Sequence, residues 1–169
     1  GDISAGMAAL LYGEPPEFPF LLADMGTNGE FVLALDKERS FIASVPLGPS
    51  LEGIGLRYGG VADTGSVSGF RLGPFGLSPV VIGNTEPKWI CGTGYLSLLD
   101  ALLRTGFLDA TGRLASAPVS PLAARLLGTV ERGAAGWSLP LPGGMELAGA
   151  DVEEILKVKA AFSLALESL

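Results

Sequence analysis

The stretch Phe-Leu-Leu-Ala-Asp-Met-Gly-Thr-Asn-Gly-Glu-Phe-Val-Leu-Ala-Leu at residues 20–35 restricts the fold more than any other part of the chain. Two apolar runs enclose a turn that carries a carboxylate, glycines, a hydroxyl and an amide, which predicts a β-hairpin. The expected strands are residues 20–25 and 31–36. Asn28-Gly29 would supply the positive-φ pair of a tight type I′ turn. Asp24 ends a strand whose other residues, Phe20, Leu21, Leu22 and Ala23, read as buried, and an unpaired buried carboxylate is costly. Two readings remain open at this point. Asp24 holds magnesium through water while the glycine-flanked amides wrap a phosphate, or it caps its own turn, as Asp routinely does.

Composition narrows the chemistry. With 169 residues, 48% apolar and 17% charged, the chain is expected to be globular, one domain over residues 1–169 with a real core. No apolar run approaches ~18 residues, so no transmembrane span is expected. A net charge of -7 argues against nucleic acid or an anionic membrane as partner. Backbone amides and a helix N-terminus could still hold an anion locally. One Cys and no His leave no internal disulfide, no Cys/His zinc site, no iron–sulfur cluster and no histidine-based triad. Acid–base work must then fall to a carboxylate. The chain begins at Gly1 without a signal pattern, which fits a cytoplasmic protein cut from something longer.

The remaining chain is punctuated by glycine and proline. Residues 2–11 read as a short helix with Asp2 at its N-cap, closed by Gly13 and Pro15-Pro16. A third strand over 40–45 completes an antiparallel meander. Residues 48–56 look like a helix start with Leu51, Ile54 and Tyr58 on one face, and its glycines imply close approach of another backbone or a ligand. Glu52 there is either aimed at a site or a solvated first-turn acid. Strands follow at 65–72 and 77–82. Cys91-Gly92-Thr93-Gly94 then feeds a helix with Leu96, Leu99 and Leu103 on one face and Gly106 as its stop. That glycine turn is an anion cradle or a plain tight turn, and Cys91 reads as a small buried hydrophobe. Residues 110–118 read as a surface loop, and Ser120-Pro121 opens a helix ended by Gly128. Residues 137–141 and 145–147 form a hairpin around Pro142-Gly143-Gly144. Asp151-Val-Glu-Glu154 is a capping box for a last helix with Ile155, Val158, Phe162, Ala165 and Leu169 as its stripe.

This order resembles half an actin-like ATPase of the ASKHA type, the ribonuclease H-like α/β unit of sugar kinases, chaperones and actin. The resemblance implies a mixed sheet of three antiparallel meander strands plus parallel strands with flanking helices. Four spaced motifs, at residues 22–31, 48–53, 90–100 and 106–113, make it narrower. Together they resemble the C-terminal domain of the ferredoxin-like reductive activators of corrinoid-dependent proteins. The resemblance implies ATP and Mg2+ as cofactors, with ATP hydrolysis driving cobalt(II) to cobalt(I) in a corrinoid protein partner. Carried over, Asp24 would hold the metal and Glu30 would orient a water. Gly26, Thr27, Asn28 and Gly29 would face phosphate, and Gly92, Thr93 and Gly94 would stand near the nucleotide.

The other half of the clamp, the adenosine-contacting segment and the [2Fe–2S] domain are expected elsewhere in a longer parent chain, and a homodimer is open. The fragment alone is expected to turn over little ATP. One departure stands out, because Val45-Pro46-Leu47 is bulkier than the small-residue run usual in the family, which would narrow a nucleotide pocket. Two other functions fit the same fold: a docking module without nucleotide, or half of a sugar or acid kinase.

Overall fold

The computed structural model describes residues 2–14, 16–47 and 50–169. They fall into two compact units, Gly1–Pro49 with Lys157–Leu169, and Ser50–Leu156.

The first unit is a meander with a helix on each face. Helix α1 (Asp2–Tyr12) precedes strands β1 (Phe20–Met25), β2 (Asn28–Ala34) and β3 (Ser40–Pro46), paired antiparallel in the order β1-β2-β3. Helix α1 lies close on the Leu22 face, where the missing side chain of Gly6 leaves room: a Cβ there would stand 3.3 Å from Leu22 Cδ2. Alternation along a strand sends Phe31 to the opposite face from Val32, the register partner of Leu22. There the C-terminal half of helix α4 (Gly149–Glu167) packs Val158, Phe162 and Leu166 onto Phe31, Val45 and Leu47. Phe31 and Phe162 meet edge to face at 4.9 Å between centroids. Burying a side chain such as Phe31 contributes about 1.5–3 kcal/mol.

Two expectations for this unit change. Strand β1 is not buried throughout: it alternates, with Phe20, Leu22 and Asp24 half-buried and Leu21, Ala23 and Met25 exposed. It is an edge strand, and helix α4 packs on β2 and β3 instead. The hairpin turn is Gly26-Thr27, because Asn28 and Gly29 already belong to β2 and neither has positive φ.

The second unit holds two further sheets. Strands β4 (Ser66–Gly73), β5 (Gly76–Val81) and β6 (Trp89–Ile90) pair in the order β5-β4-β6, with β4 antiparallel to β5 and parallel to β6. Helix α2 (Gly92–Thr105) packs on β4 and is stopped by Gly106 in the left-handed conformation. Helix α3 (Pro121–Gly128) has Ser120 as N-cap, its hydroxyl accepting from Ala123 N–H at 3.0 Å. Strands β7 (Glu131–Gly133), β8 (Gly136–Leu141) and β9 (Met145–Ala148) form an antiparallel sheet. The core gathers Val67, Ile90, Tyr95, Leu98, Leu102, Phe107, Leu139 and Leu147 with Val152 and Ile155 of α4.

The meander and the parallel pairing therefore lie in separate sheets and not in one mixed sheet. The helix expected over 48–56 shrinks to one turn, Ser50–Ile54, with Glu52 and Gly53 outside helical angles. Gly48 and Pro49 lie outside the described residues. Another backbone explains Gly53, whose Cβ would stand 2.9 Å from Gly59 O. Leu51 is buried while Ile54 is 83% exposed, so they share no face. Helix α2 buries Tyr95, Leu98, Ala101, Leu102 and Thr105 and leaves Leu96 and Leu103 largely exposed, one residue out of phase with expectation. The apolar residues of this helix spread over nearly half its circumference, so periodicity alone does not fix the centre of its inner face. Helix α4 starts at Gly149, ahead of the expected capping box, and the Asp151 carboxylate reaches back to Ala148 N–H at 2.8 Å.

Candidate functional site

The register of the meander builds the first candidate site. Asp24 stands opposite Glu30, and Glu30 stands opposite Ser44, so one rung across three strands carries two carboxylates and a hydroxyl. Antiparallel partners share a face, with Cβ atoms about 5 Å apart. Asp24 and Glu30 are half-buried and Ser44 is exposed. Among the described residues, no side-chain hydrogen bond or ion pair engages either carboxylate. Like charges directly opposite destabilise a sheet, so this rung is set up for a cation or a polar ligand. Its donors are all hard oxygens, the set magnesium prefers, and magnesium is commonly held by one or two carboxylates with waters and phosphates completing the octahedron. Among the described residues there is no cluster of three or more His, Cys, Asp or Glu side chains.

The adjoining turn offers donors unequally. Gly26, Thr27 and Asn28 are exposed. The Gly26 N–H already donates to Asn28 O at 3.0 Å, and Thr27 O accepts from Leu47 N–H at 3.0 Å. Gly29 is buried, and a Cβ on it would stand 2.6 Å from Leu47 Cδ1 and 3.1 Å from Phe31 Cζ. Close packing therefore explains this glycine. Sequence reasoning missed Ser44, because its place beside Glu30 follows only from the β2–β3 register.

The second candidate lies in the other unit, at the start of α2. Gly92 is half-buried and Thr93 is exposed in the first turn, where the helix dipole favours negative charge. Gly94 is buried: its Cβ would fall 2.1 Å from Val67 O and 2.8 Å from Ile90 Cγ2, so it lets α2 sit tightly on β4 and β6. Cys91 caps this helix from extended backbone angles and is 2% exposed. Its sulfur lies 3.2 Å from Thr93 Oγ1 and 3.5 Å from Val67 O. Burial pushes the Cys91 thiol up, but the Ser66 and Thr93 hydroxyls and the Gly94 and Thr93 amides outweigh it and leave it below its ordinary value. Among the described residues the buried Ser66 hydroxyl has no hydrogen bond of regular geometry. Glu52 is exposed.

The motif at 106–113 has a local explanation. One oxygen of Asp109 accepts from Thr111 N–H at 2.8 Å, Thr111 Oγ1 at 2.7 Å and Arg113 N–H at 3.0 Å, closing a turn. Gly112 adopts a φ of 77° there.

Among the described residues no helix is long and apolar enough to cross a membrane. Residues 19–169 match a family described as the C-terminal domain of RACo, the ASKHA domain. The corrinoid activation enzyme RamQ of Eubacterium limosum is 33% identical over 113 residues, which cover 66% of this chain and 19% of that protein. A solved reductive activator for corrinoid, iron-sulfur protein superposes on 100% of this chain and 28% of its own, with a TM-score of 0.75 and 25% identity. The chain thus spans less than a third of the length of either relative.

Proposed function

The chain belongs to the family of RACo C-terminal ASKHA domains, and from that premise we propose that it is the nucleotide-binding half of a cytoplasmic, ATP-dependent reductive activator. In this reading its fold is the ribonuclease H-like half of an actin-like clamp. The parent protein, carrying its [2Fe–2S] domain elsewhere, drives cobalt(II) to cobalt(I) in a corrinoid protein. The relatives, a corrinoid activation enzyme and a reductive activator for a corrinoid, iron-sulfur protein, support the corrinoid part of this reading.

One observation carries the nucleotide part: Asp24 and Glu30, two carboxylates without a partner among the described residues, share a rung beside an exposed glycine turn. Asp24 would hold Mg2+ directly or through water, and Glu30 would orient a water across the rung with Ser44 beside it. Magnesium, when bound, supplies charge neutralisation for phosphate oxygens. The exposed Thr27 hydroxyl and the Thr27 and Asn28 amides would face phosphate, with Gly26 shaping the turn and Gly29 packed behind it. In the second unit, Gly92 and Thr93 would offer the start of α2 to an anionic group, with Gly94 fixing that helix against its sheet. Titration calorimetry of Mg-ATP into the full-length parent protein tests this reading. Saturable heat that Asp24→Ala abolishes, with the fold intact, is the expected result; unchanged binding in that variant overturns it.

A second reading, a docking module of the same fold without nucleotide, draws on Leu47, which covers Gly29 with its side chain and is itself 7% exposed. It predicts no heat with Mg-ATP in the parent protein.

A further inference from the structure

The second unit carries a groove of about 380 Å³ that neither candidate site uses. Its floor is apolar, with Leu77, Leu126 and Leu141, and Phe75 and Arg125 stand at its edge. Arg125, on helix α3, donates from Nη1 to Pro74 O at 3.2 Å, and its guanidinium carbon lies 5.9 Å from the Phe75 ring centre. These contacts hold the guanidinium between α3 and the β4–β5 turn. None of the ion pairs among the described residues involves Arg125. In a chain with 18 acidic and 11 basic residues, an arginine braced by a ring and a carbonyl and left without a carboxylate is complementary to an acid from outside.

Two further features specify the form of that acid. Phe75 is 86% exposed, and aromatic residues and arginine are both enriched at protein interfaces. Strand β5 is an edge of its sheet, and its residues Gly76, Leu77 and Ser78 line the groove. An edge offers backbone groups to an extended chain. Pro79, next in β5, has no N–H and ends such pairing, so the available edge is short.

We propose that this groove receives a short extended peptide from a protein partner, with an acidic side chain on Arg125 and an apolar neighbour over Leu77, Leu126 and Leu141. The inference is independent of the nucleotide reading, since it uses no residue of either candidate site.

The test is fluorescence anisotropy of a fluorescein-labelled peptide, Ser-Leu-Asp-Leu-Val-Ser, titrated with the full-length parent protein. Saturable binding is expected, weakened about tenfold when Asn replaces Asp in the peptide or in the variant Arg125→Gln. Phe75→Ala, at an exposed turn position, should weaken it several-fold while leaving the thermal midpoint unchanged. Absence of saturable binding, or binding indifferent to both substitutions, overturns the proposal. So does equal displacement by free phenylacetate at the concentration of unlabelled peptide, which would mark a small-carboxylate site instead.

Discussion

Asp24 and Glu30 face each other across the β1–β2 ladder, both half-buried and both without a protein partner among the described residues. Removing one charge should relieve their repulsion. Asp24→Asn is expected to match or exceed the parent sequence in EDTA, by about 0.2–1 kcal/mol. It should also lose any stabilisation that Mg2+ confers. Thermal melts with and without Mg2+ check both halves, and a marked loss of stability in EDTA would show that the carboxylate serves the turn instead.

Gly94→Ala should be much worse tolerated than Gly29→Ala. A Cβ at 94 strikes a carbonyl of the sheet, Val67 O, at 2.1 Å, whereas one at 29 strikes the movable end of Leu47 at 2.6 Å. Costs of about 3 and about 1 kcal/mol are expected from urea unfolding midpoints.

Phe162→Ala removes the ring that meets Phe31 edge-on at 4.9 Å. Because Phe162 is half-buried, a loss of about 2–4 kcal/mol is expected, at the low end of phenylalanine truncations. Calorimetric unfolding measures it, and a loss under ~1 kcal/mol would mean that α4 holds the meander by its other contacts.

The Asp109 turn should make stability depend on acid pH. Hydrogen bonds from the Thr111 hydroxyl and the Arg113 and Thr111 amides hold the carboxyl below its ordinary value. A lowered folded-state value contributes stability that is fully present above the unfolded value, about 4, and is lost as pH falls through the folded one. Asp109→Ala should therefore differ from the parent at pH 6, and the difference should shrink as pH falls through the folded-state value. Asp36, held low by the Glu38 amide and the Arg39 side chain, should behave alike.

The hairpin signal placed β1 to within its observed bounds, and Gly106, Ser120 and Pro142-Gly143-Gly144 marked real stops and turns. Such features are local, written in backbone angles and caps. The misplaced features depended on contacts distant in sequence. Gly29 looked like a turn glycine because Asn-Gly usually is one, yet Leu47 and Phe31 are what require it. The inner face of α2 shifted because its leucines spread over nearly half its circumference, and packing against β4 and the core decides which of them are covered. Asp24 and its neighbours were readable as a chemical motif, but Ser44 joined them through pairing between strands that no spacing rule contains. Strands β6 and β7, two and three residues long, leave too little pattern to read.

Cys91 is the chain's single sulfhydryl, enclosed at the start of α2 by Ser66, Thr93 and the sheet. Reagent must wait for that helix to lift before it can react, so alkylation works as a stopwatch on breathing at this one spot. Any compound that clamps the helix start will slow the clock, even with no change in melting temperature, which gives a ligand screen that needs neither turnover nor a known partner.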